Sequence, residues 1–216
     1  MEAGIPTVDQ ARTWYPSQDP VHGFDHVLRV LGTAEWLAGQ VGADGEIVRA
    51  AALLHDASGA APGSQSGRTH HEQASAAFAR EILQAEGWPL ERIEAVEHCI
   101  RAHRYRSAEA PRTIEARVLF DADKLDVLGA FGVARTIAYA LQAGQPIYAE
   151  PSQAFRANGT AEAGEPHSAY HEYLFKLRHV GERLHTDPAR ALARQRHDLL
   201  VRFFDALAEE AKGPRP

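Results

Sequence analysis

The chain has 216 residues, a formal net charge of −6 and one cysteine, so neither an intramolecular disulfide nor a thiolate metal cluster can form. This length can bury one sizeable core, and we expect a single domain across residues 1–216. The acidic balance argues against a binder of nucleic-acid polymers or membrane surfaces, because both need a basic footprint, and it favours a small-molecule substrate.

The first residues carry no recognisable targeting signal. Met1 to Pro6 include neither the basic segment nor the apolar segment that begins a signal peptide. No run of residues elsewhere approaches the ~20 consecutive apolar positions of a membrane span. We therefore expect a cytoplasmic protein that has no membrane partner.

A first helix is predicted after Gly23. Its helical repeat of apolar residues consists of Val27, Val30, Leu31, Ala34, Leu37 and Ala38. His26 lies one turn before Val30 on the same face, so we expect its side chain to point inward.

The next helix ends in two polar residues that its apolar face does not explain. Its buried stripe consists of Ile47, Val48, Ala51 and Leu54. His55 continues that stripe, and Asp56 follows it directly. An imidazole and a carboxylate at the end of so apolar a run are costly to bury unless they bind a cation there. The pair is therefore predicted to bind a metal.

More histidines occur at the ends of the helices that follow. Thr69-His70-His71-Glu72 has the pattern of a capping box, with Thr69 as the N-cap and Glu72 three positions later. Two helices are predicted after it, with apolar positions at Ala74, Phe78 and Ile82 in one and at Ile93, Val96 and Ile100 in the other. The second stripe reaches His103, whereas His98 is interpreted as a surface residue.

The middle of the chain combines a long helical pattern with an acidic cluster. A helical segment is predicted from about Thr113 to Leu141, and it contains four charged residues within residues 121–126. Residues 143–166 are rich in Gly, Pro and Ser, and a long stretch without periodicity is typical of a functional or disordered loop. We interpret it as a partly mobile lid.

Two helices are predicted to close the chain, at about 170–184 and 188–211. In the last helix the inward positions are taken to be Leu192, Leu199, Phe203 and Leu207. No segment shows the period-two alternation of a half-buried strand. The predicted fold is therefore an all-α, single-domain bundle with C-terminal helices over about 169–211.

The inward histidines and the acidic cluster together suggest one metal site. His26, His55, Asp56 and an aspartate of the cluster would supply two nitrogen and two oxygen ligands from three helices. This mixture suits an octahedral Mn, Mg, Fe, Co or Ni ion better than a closed zinc site. Periodicity does not choose between Asp121 and Asp123. The alternative is that each histidine is an ordinary hydrogen-bonded core residue.

At this point the chain resembles a known family. The matching stretches are residues 22–26 with Arg29-Val30, residues 51–56, residues 100–103, residues 121–130, Lys176-Leu177 and Arg196-His197. They resemble the H…HD…D signature of the HD-domain metal-dependent phosphohydrolase superfamily, which is all-helical. The surrounding residues are similar to its small single-domain bacterial branch, which has nucleotide pyrophosphohydrolase activity.

The resemblance implies roles for individual residues. The metal ligands would be His26, His55, Asp56 and Asp123. His71 would act as general acid or phosphate ligand with Glu72 as its orienting partner, although Glu72 could equally serve only the capping box. Lys124 would contact a phosphate and complete the catalytic set.

The substrate would be held by further polar residues. The resemblance gives His103 a phosphate contact and Asp126 a position near the substrate sugar or outside the ligand shell. Arg101, Arg104 and Arg106 supply guanidinium groups, whose fork matches phosphate oxygens. Asp25 is expected either to cap its helix or to approach metal-bound water.

The predicted reaction is metal-dependent hydrolysis of a (deoxy)nucleoside triphosphate to the monophosphate and pyrophosphate. Activity as a 5′-nucleotidase or as a triphosphohydrolase is the nearest alternative. Cyclic-dinucleotide hydrolysis is disfavoured because a Gly-Tyr-Pro element is lacking, and alarmone hydrolysis because Ala57-Ser58-Gly59 follows the His-Asp pair. A non-catalytic nucleotide sensor that keeps the metal, or a helical scaffold that binds none, would be different classes of protein. Base and sugar preference, native metal, ion number and oligomeric state stay open.

Overall fold

The computed structural model describes residues 4–15, 23–57, 71–105 and 109–214. All regular elements in these ranges are helices, which confirms the predicted all-α class. They are α1 (Val8–Arg12), α2 (Phe24–Val41), α3 (Gly45–Leu54), α4 (His71–Ala85), α5 (Leu90–Ala102), α6 (Ile114–Leu125), α7 (Gly129–Gln142), α8 (Gln153–Asn158), α9 (Ala169–Phe175), a 3₁₀ helix (Leu177–Arg183) and α10 (Asp187–Ala211).

The residues group into two compact units. The first comprises Met1–Lys124 and Leu184–Ala189, and the second comprises Leu125–Arg183 and Arg190–Pro216. The organisation of the whole chain as one domain stays a prediction. No helix in the described ranges is long and apolar enough to cross a membrane.

Helices α2 and α3 form as their sequences predict. The buried residues of α2 are His26, Val27, Val30, Leu31, Ala34, Leu37 and Ala38. Gly42 ends α2 with a φ of 71°, a left-handed conformation that glycine adopts without strain. Asp44 then caps α3 by accepting hydrogen bonds from the amides of Glu46 and Ile47. His26 and His55 therefore lie in the interior, as their spacing predicts.

An N-terminal arm that the periodicity did not reveal precedes these helices. Its helix α1 has five residues, which is too short for an amphipathic repeat, and it begins at a capping box between Thr7 and Gln10. The arm is held to the segment that follows α4, where the Trp88 indole N–H donates a hydrogen bond of 2.8 Å to the carbonyl of Gly4. Nearer its end, the Trp14 ring packs edge-on against Phe78 of α4, with centroids 5.7 Å apart.

The prediction of one continuous helix from Thr113 to Leu141 is wrong, because the structure divides it into α6 and α7. The break lies at residues 126–128, and α7 begins at Gly129 with a φ of 70°. A Cβ atom at this glycine would lie 3.2 Å from the Arg196 side chain, so both the backbone angle and the space favour glycine.

The prediction of a structureless stretch at residues 143–166 is also incomplete. Helix α8 forms within it, capped by the Ser152 hydroxyl and ended by Gly159, whose φ is 76°. Mobility of this stretch stays a prediction. The helix predicted at 170–184 is instead two short elements, α9 and the 3₁₀ helix.

The predicted inward face of α10 is wrong by about one residue. Leu199 and Phe203 are 39% and 37% exposed, whereas their neighbours Leu200 and Phe204 are fully buried. The sequence places two apolar residues side by side at both positions, so helical periodicity fits either face equally well.

Candidate metal centre

His26 and Asp123 meet from α2 and α6. The imidazole Nε2 of His26 lies 3.4 Å from an oxygen of Asp123, and both side chains are buried. Burial acts to raise the pKa of Asp123, but Lys124 and His26 outweigh it and hold that pKa well below the ordinary value. The carboxylate is therefore charged at neutral pH.

His55 is oriented by the end of its own helix. Its Nδ1–H donates a hydrogen bond of 2.8 Å to the carbonyl of Ala52, which leaves the Nε2 lone pair free to face inward. Nε2 is buried and has no hydrogen-bond partner within the described residues. Burial lowers the pKa of His55 to about 4, so the ring is a neutral donor at pH 7.

Asp56 lies among three imidazoles. One of its oxygens is 3.6 Å from Nε2 of His55, and the other is 3.6 Å from Nε2 of His71 and 3.5 Å from Nε2 of His103. Burial acts to raise the pKa of Asp56, but the neighbouring imidazoles of His55 and His103 outweigh burial and hold that pKa well below its ordinary value. Its Oδ1 atom has no hydrogen-bond partner among the described groups.

His103 repeats the geometry of His55. It ends α5, and its Nδ1–H donates 2.6 Å to the carbonyl of Ile100. Because Nδ1 of each ring bonds a backbone carbonyl, Nε2 of both His55 and His103 faces an oxygen of Asp56. Lone pairs that converge at about this spacing repel one another unless a proton or a cation lies between them.

The possible ligands form two adjoining groups. His26, His55 and Asp123 offer atoms that all lie within 4.8 Å of one another, and so do Asp56, His71 and His103. The unpartnered atoms of His55 and Asp56 fit a cation that accepts nitrogen and oxygen donors. Three of the four predicted ligands thus lie in the first group and Asp56 in the second, and the two groups meet where an oxygen of Asp56 lies 3.6 Å from Nε2 of His55. Together the two groups form one cluster of imidazoles and carboxylates.

Asp121 has a different environment from Asp123. It is fully buried and accepts hydrogen bonds of 2.8 Å from the amides of His185 and Thr186, and one of 2.7 Å from the Thr186 hydroxyl. Both of its oxygens are thus used within the fold. This arrangement supports Asp123 rather than Asp121 as the ligand.

Lys124 brings a positive charge to the same cluster. It is buried, its ammonium group pairs with Asp123, and it lies 5.4 Å from the centroid of the Phe120 ring. A buried ammonium group beside ligand carboxylates can neutralise phosphate oxygens.

His71, Glu72 and Arg104 form a chain at the edge of the cluster. Nδ1 of His71 lies 3.9 Å from Glu72, and the guanidinium of Arg104 pairs with the same Glu72 oxygen at 3.0 Å. His71 is 23% exposed in its side chain, more than any other imidazole of the cluster. Burial lowers the pKa of His71. The capping-box role of Glu72 involves Thr69, which lies outside the described residues.

The structure places Arg101 in a different network. Its Nε donates 2.8 Å to Glu109, whose other oxygen pairs with Nδ1 of His98 at 2.5 Å. The interpretation of His98 as a surface residue is wrong, because the residue 109–112 segment covers it and the amide of Arg112 donates to its Nε2. Sequence spacing on α5 did not reveal this covering segment.

Other predicted residues are found in separate surroundings. Asp126 belongs to the second unit, where it pairs with Arg135 at 2.6 Å. Asp25 is exposed and pairs with Arg29 one turn later. The predicted phosphate-binding residue Arg106 lies outside the described residues, as do Thr69 and His70 of the capping-box pattern.

Sequence reasoning missed Tyr15. The residue is 7% exposed, and its hydroxyl donates 2.9 Å to the carbonyl of Leu53, two residues before His55. Burial, followed by the charge of Asp56, raises the pKa of Tyr15 well above its ordinary value. A tyrosine alone at the end of a short helix carries no motif by which it could have been found.

The chain is similar to a known family and to known proteins. A model of the HD domain family matches residues 23–128. YpgQ of Bacillus subtilis (strain 168) is 29% identical over 213 residues, which span 95% of this chain and 94% of YpgQ.

Solved structures share the fold over nearly the whole chain. The crystal structure of Bacillus subtilis YpgQ in complex with ADP has a TM-score of 0.72, covering 96% of this chain and 99% of that chain. A Lactobacillus plantarum protein, 25% identical, has a TM-score of 0.78 with coverage of 96% and 95%. An HD-superfamily hydrolase of Bacillus thuringiensis, 24% identical, has a TM-score of 0.69 with the same coverage and supports the fold alone.

Proposed function

We propose that this chain, an HD-domain protein over residues 23–128 and a member of the metal-dependent phosphohydrolases, hydrolyses nucleoside triphosphates to monophosphates and pyrophosphate. The observation that carries the proposal is a pair of buried atoms that could bind a metal and that have no hydrogen-bond partner among the described residues. They are Nε2 of His55 and Oδ1 of Asp56. Such atoms are costly in a folded core unless a ligand uses them.

The residues that would hold the ion are His26, His55, Asp56 and Asp123. When bound, a divalent ion such as Mn²⁺ or Mg²⁺ polarises a phosphoryl oxygen and lowers the pKa of water toward ~7. The depressed pKa values of His55, Asp56 and Asp123 keep these groups deprotonated at neutral pH, which is the form that binds metal. The group formed by Asp56, His71 and His103 leaves room for a second ion in the proposal.

Lys124 and His71 would act on the phosphate chain. Lys124 would neutralise charge that develops on non-bridging oxygens, because its ammonium group already lies beside the ligand Asp123. His71 would donate a proton to the pyrophosphate leaving group, since it is the imidazole of the cluster that reaches solvent. Glu72, held by Arg104, would orient His71.

Two sources support a nucleotide substrate. The relative YpgQ, 29% identical over 96% of this chain, has been crystallised with ADP. The site itself combines carboxylates for a metal with a buried lysine and a nearby arginine for phosphates. In the proposed reaction water adds to the α-phosphorus and the bond from this phosphorus to the bridging oxygen breaks. One water and one triphosphate give one monophosphate and one pyrophosphate.

The test is a product assay with a panel of ribo- and deoxyribonucleoside triphosphates in the presence of Mn²⁺ or Mg²⁺. We expect equal amounts of monophosphate and pyrophosphate. Release of orthophosphate or of tripolyphosphate would replace the proposed bond specificity by a 5′-nucleotidase or triphosphohydrolase activity. Tight nucleotide binding without any product would favour a sensor.

A matched pair of variants tests the ligand assignment. Asp123→Asn is expected to abolish metal-dependent turnover, whereas Asp121→Asn is expected to lower stability and leave metal affinity within about twofold of the unmodified protein. The reverse pattern would assign the metal to Asp121.

A further inference from the structure

The last turn of α3 has an unusual set of hydrogen bonds. Its final carbonyls cannot all be satisfied within the helix, because no further turn follows. Ala52 accepts from the His55 ring at 2.8 Å, and Leu54 accepts from the amide of Ala57 at 3.3 Å. The carbonyl between them, Leu53, accepts from the hydroxyl of Tyr15 at 2.9 Å. Three successive carbonyls next to the His-Asp pair therefore use three different donors.

Tyr15 connects the two segments that carry ligands. Its hydroxyl bonds to α3 just before His55, and its ring packs against Phe24 of α2 with centroids 5.6 Å apart. Phe24 lies two residues before His26. The guanidinium of Arg12 also lies over the Phe24 ring, 4.7 Å from its centroid, so two residues of the arm contact this ring.

We propose that Tyr15 is a positioning residue of the metal centre, and that its hydroxyl fixes the turn from which His55 and Asp56 reach the ion. This inference rests on the proposed metal-dependent function. Tyr15 itself contacts neither the substrate nor the ion in this proposal, because its hydroxyl is used by the carbonyl of Leu53. It acts through the backbone that carries the ligands.

The physical reason lies in the choice of partner for the amide of Ala57. This amide bonds to Leu54, three residues back, which tightens the turn after α3. Without the Tyr15 hydroxyl, the buried carbonyl of Leu53 has lost its donor, and the Ala57 amide is the neighbour that can supply one by continuing the α-helix. That change would rotate the backbone at residues 55 and 56. The side chains of His55 and Asp56 would then move away from the proposed metal position.

The experiment compares Tyr15→Phe with Tyr173→Phe. Both variants remove one hydroxyl from a buried tyrosine, but Tyr173 lies in the second unit. Calorimetric titration with Mn²⁺ alone is expected to give a dissociation constant at least about tenfold weaker for Tyr15→Phe, the size typical of lost outer-shell support. Tyr173→Phe should bind Mn²⁺ like the unmodified protein.

A second measurement distinguishes a role in positioning the metal ligands from a role in the stability of the fold alone. In the Co²⁺-loaded protein, Tyr15→Phe and Tyr15→Leu should both change the visible absorption bands, because ligand geometry changes, while far-UV circular dichroism shows retained helix. Unchanged Mn²⁺ affinity and unchanged Co²⁺ bands in a folded Tyr15→Phe protein would overturn the inference, even if that protein melts earlier. Absence of metal binding in the unmodified protein would instead overturn the proposed function.

Discussion

Two buried networks in this molecule contain histidine and a carboxylate, and they differ in whether their hydrogen bonds are complete. In the second unit, the buried ring of His171 receives a hydrogen bond from Ser168 at 2.7 Å and donates one to Glu165 at 3.0 Å. Glu165 also accepts from the amides of Ser152 and Glu162, at 2.7 and 2.6 Å. Both nitrogens of the ring and both oxygens of the carboxylate have partners.

The cluster in the first unit also combines imidazoles with carboxylates, but its hydrogen bonds are incomplete. Nε2 of His55 and Oδ1 of Asp56 have no hydrogen-bond partner among the described residues, although both are buried. A complete network stabilises the fold: His171 of α9 bonds to Glu165, and Glu165 accepts from the amide of Ser152. Incomplete hydrogen bonding among clustered imidazoles and carboxylates favours the proposal that these groups bind a ligand. The comparison thus gives a geometric basis for proposing a functional role for His55 and a structural role for His171.

The largest expected effect comes from removing the shared carboxylate of the incomplete cluster. Asp56→Ala should lower metal-dependent turnover by about a thousandfold and remove Mn²⁺ binding, because Asp56 lies beside three of the four imidazoles of the site. Metal analysis and pyrophosphate release measure both effects on one sample. Substantial turnover by the metal-depleted variant would contradict the proposal that the cluster in the first unit binds a catalytic metal.

A smaller loss is expected from Lys124→Met, which keeps the length and the apolar stem of the side chain. Turnover should fall by about a hundredfold while Mn²⁺ affinity stays equal or increases, since the ammonium group that pairs with Asp123 is gone. Steady-state kinetics with a parallel Mn²⁺ titration test this. A loss of metal binding equal to that of Asp56→Ala would mean that Lys124 supports the ligands rather than the phosphates.

The complete network should respond in the opposite way. His171→Ala leaves Ser168 and Glu165 without their ring partner, so we expect the melting temperature to fall by about 5 °C. Mn²⁺ affinity and turnover per folded molecule should not change. A scanning calorimetry trace and a metal titration would show this, and a loss of metal affinity would place His171 in the functional class.

The smallest effect is a pH dependence of the metal-free protein. The pKa of His55 is lowered from 6.5 to about 4, so between these values the unfolded chain binds a proton that the folded chain does not. The contribution of His55 to the free energy of unfolding should therefore be fully present above about pH 6.5 and should be lost as the pH falls toward 4. The melting temperature of His55→Gln should decline less over this window, and parallel curves for the two proteins would contradict the assignment.

Much of the fold follows from sequence because single apolar faces define α2 and α3. The face of α10 did not, since Leu199-Leu200 and Phe203-Phe204 offer two registers that only tertiary packing decides. The break before Gly129 escaped prediction because a lone glycine does not by itself end a helix.

The site was predictable only where residues formed a recognisable pattern. His26, His55, Asp56 and Asp123 stand in such a pattern; the structure groups the first, second and last of them, and it places Asp56 in the adjoining group. Tyr15 and His171 have no sequence neighbours that mark them, because their roles arise from contacts with Leu53 and Glu165 that only folding creates.

The most direct measurement is anomalous diffraction from a crystal soaked in Mn²⁺. The account predicts a manganese peak within coordination distance of His26, His55, Asp56 and Asp123, and none beside His171. Full-occupancy manganese elsewhere, with these four side chains unliganded, would contradict the claim that they converge to hold a catalytic cation.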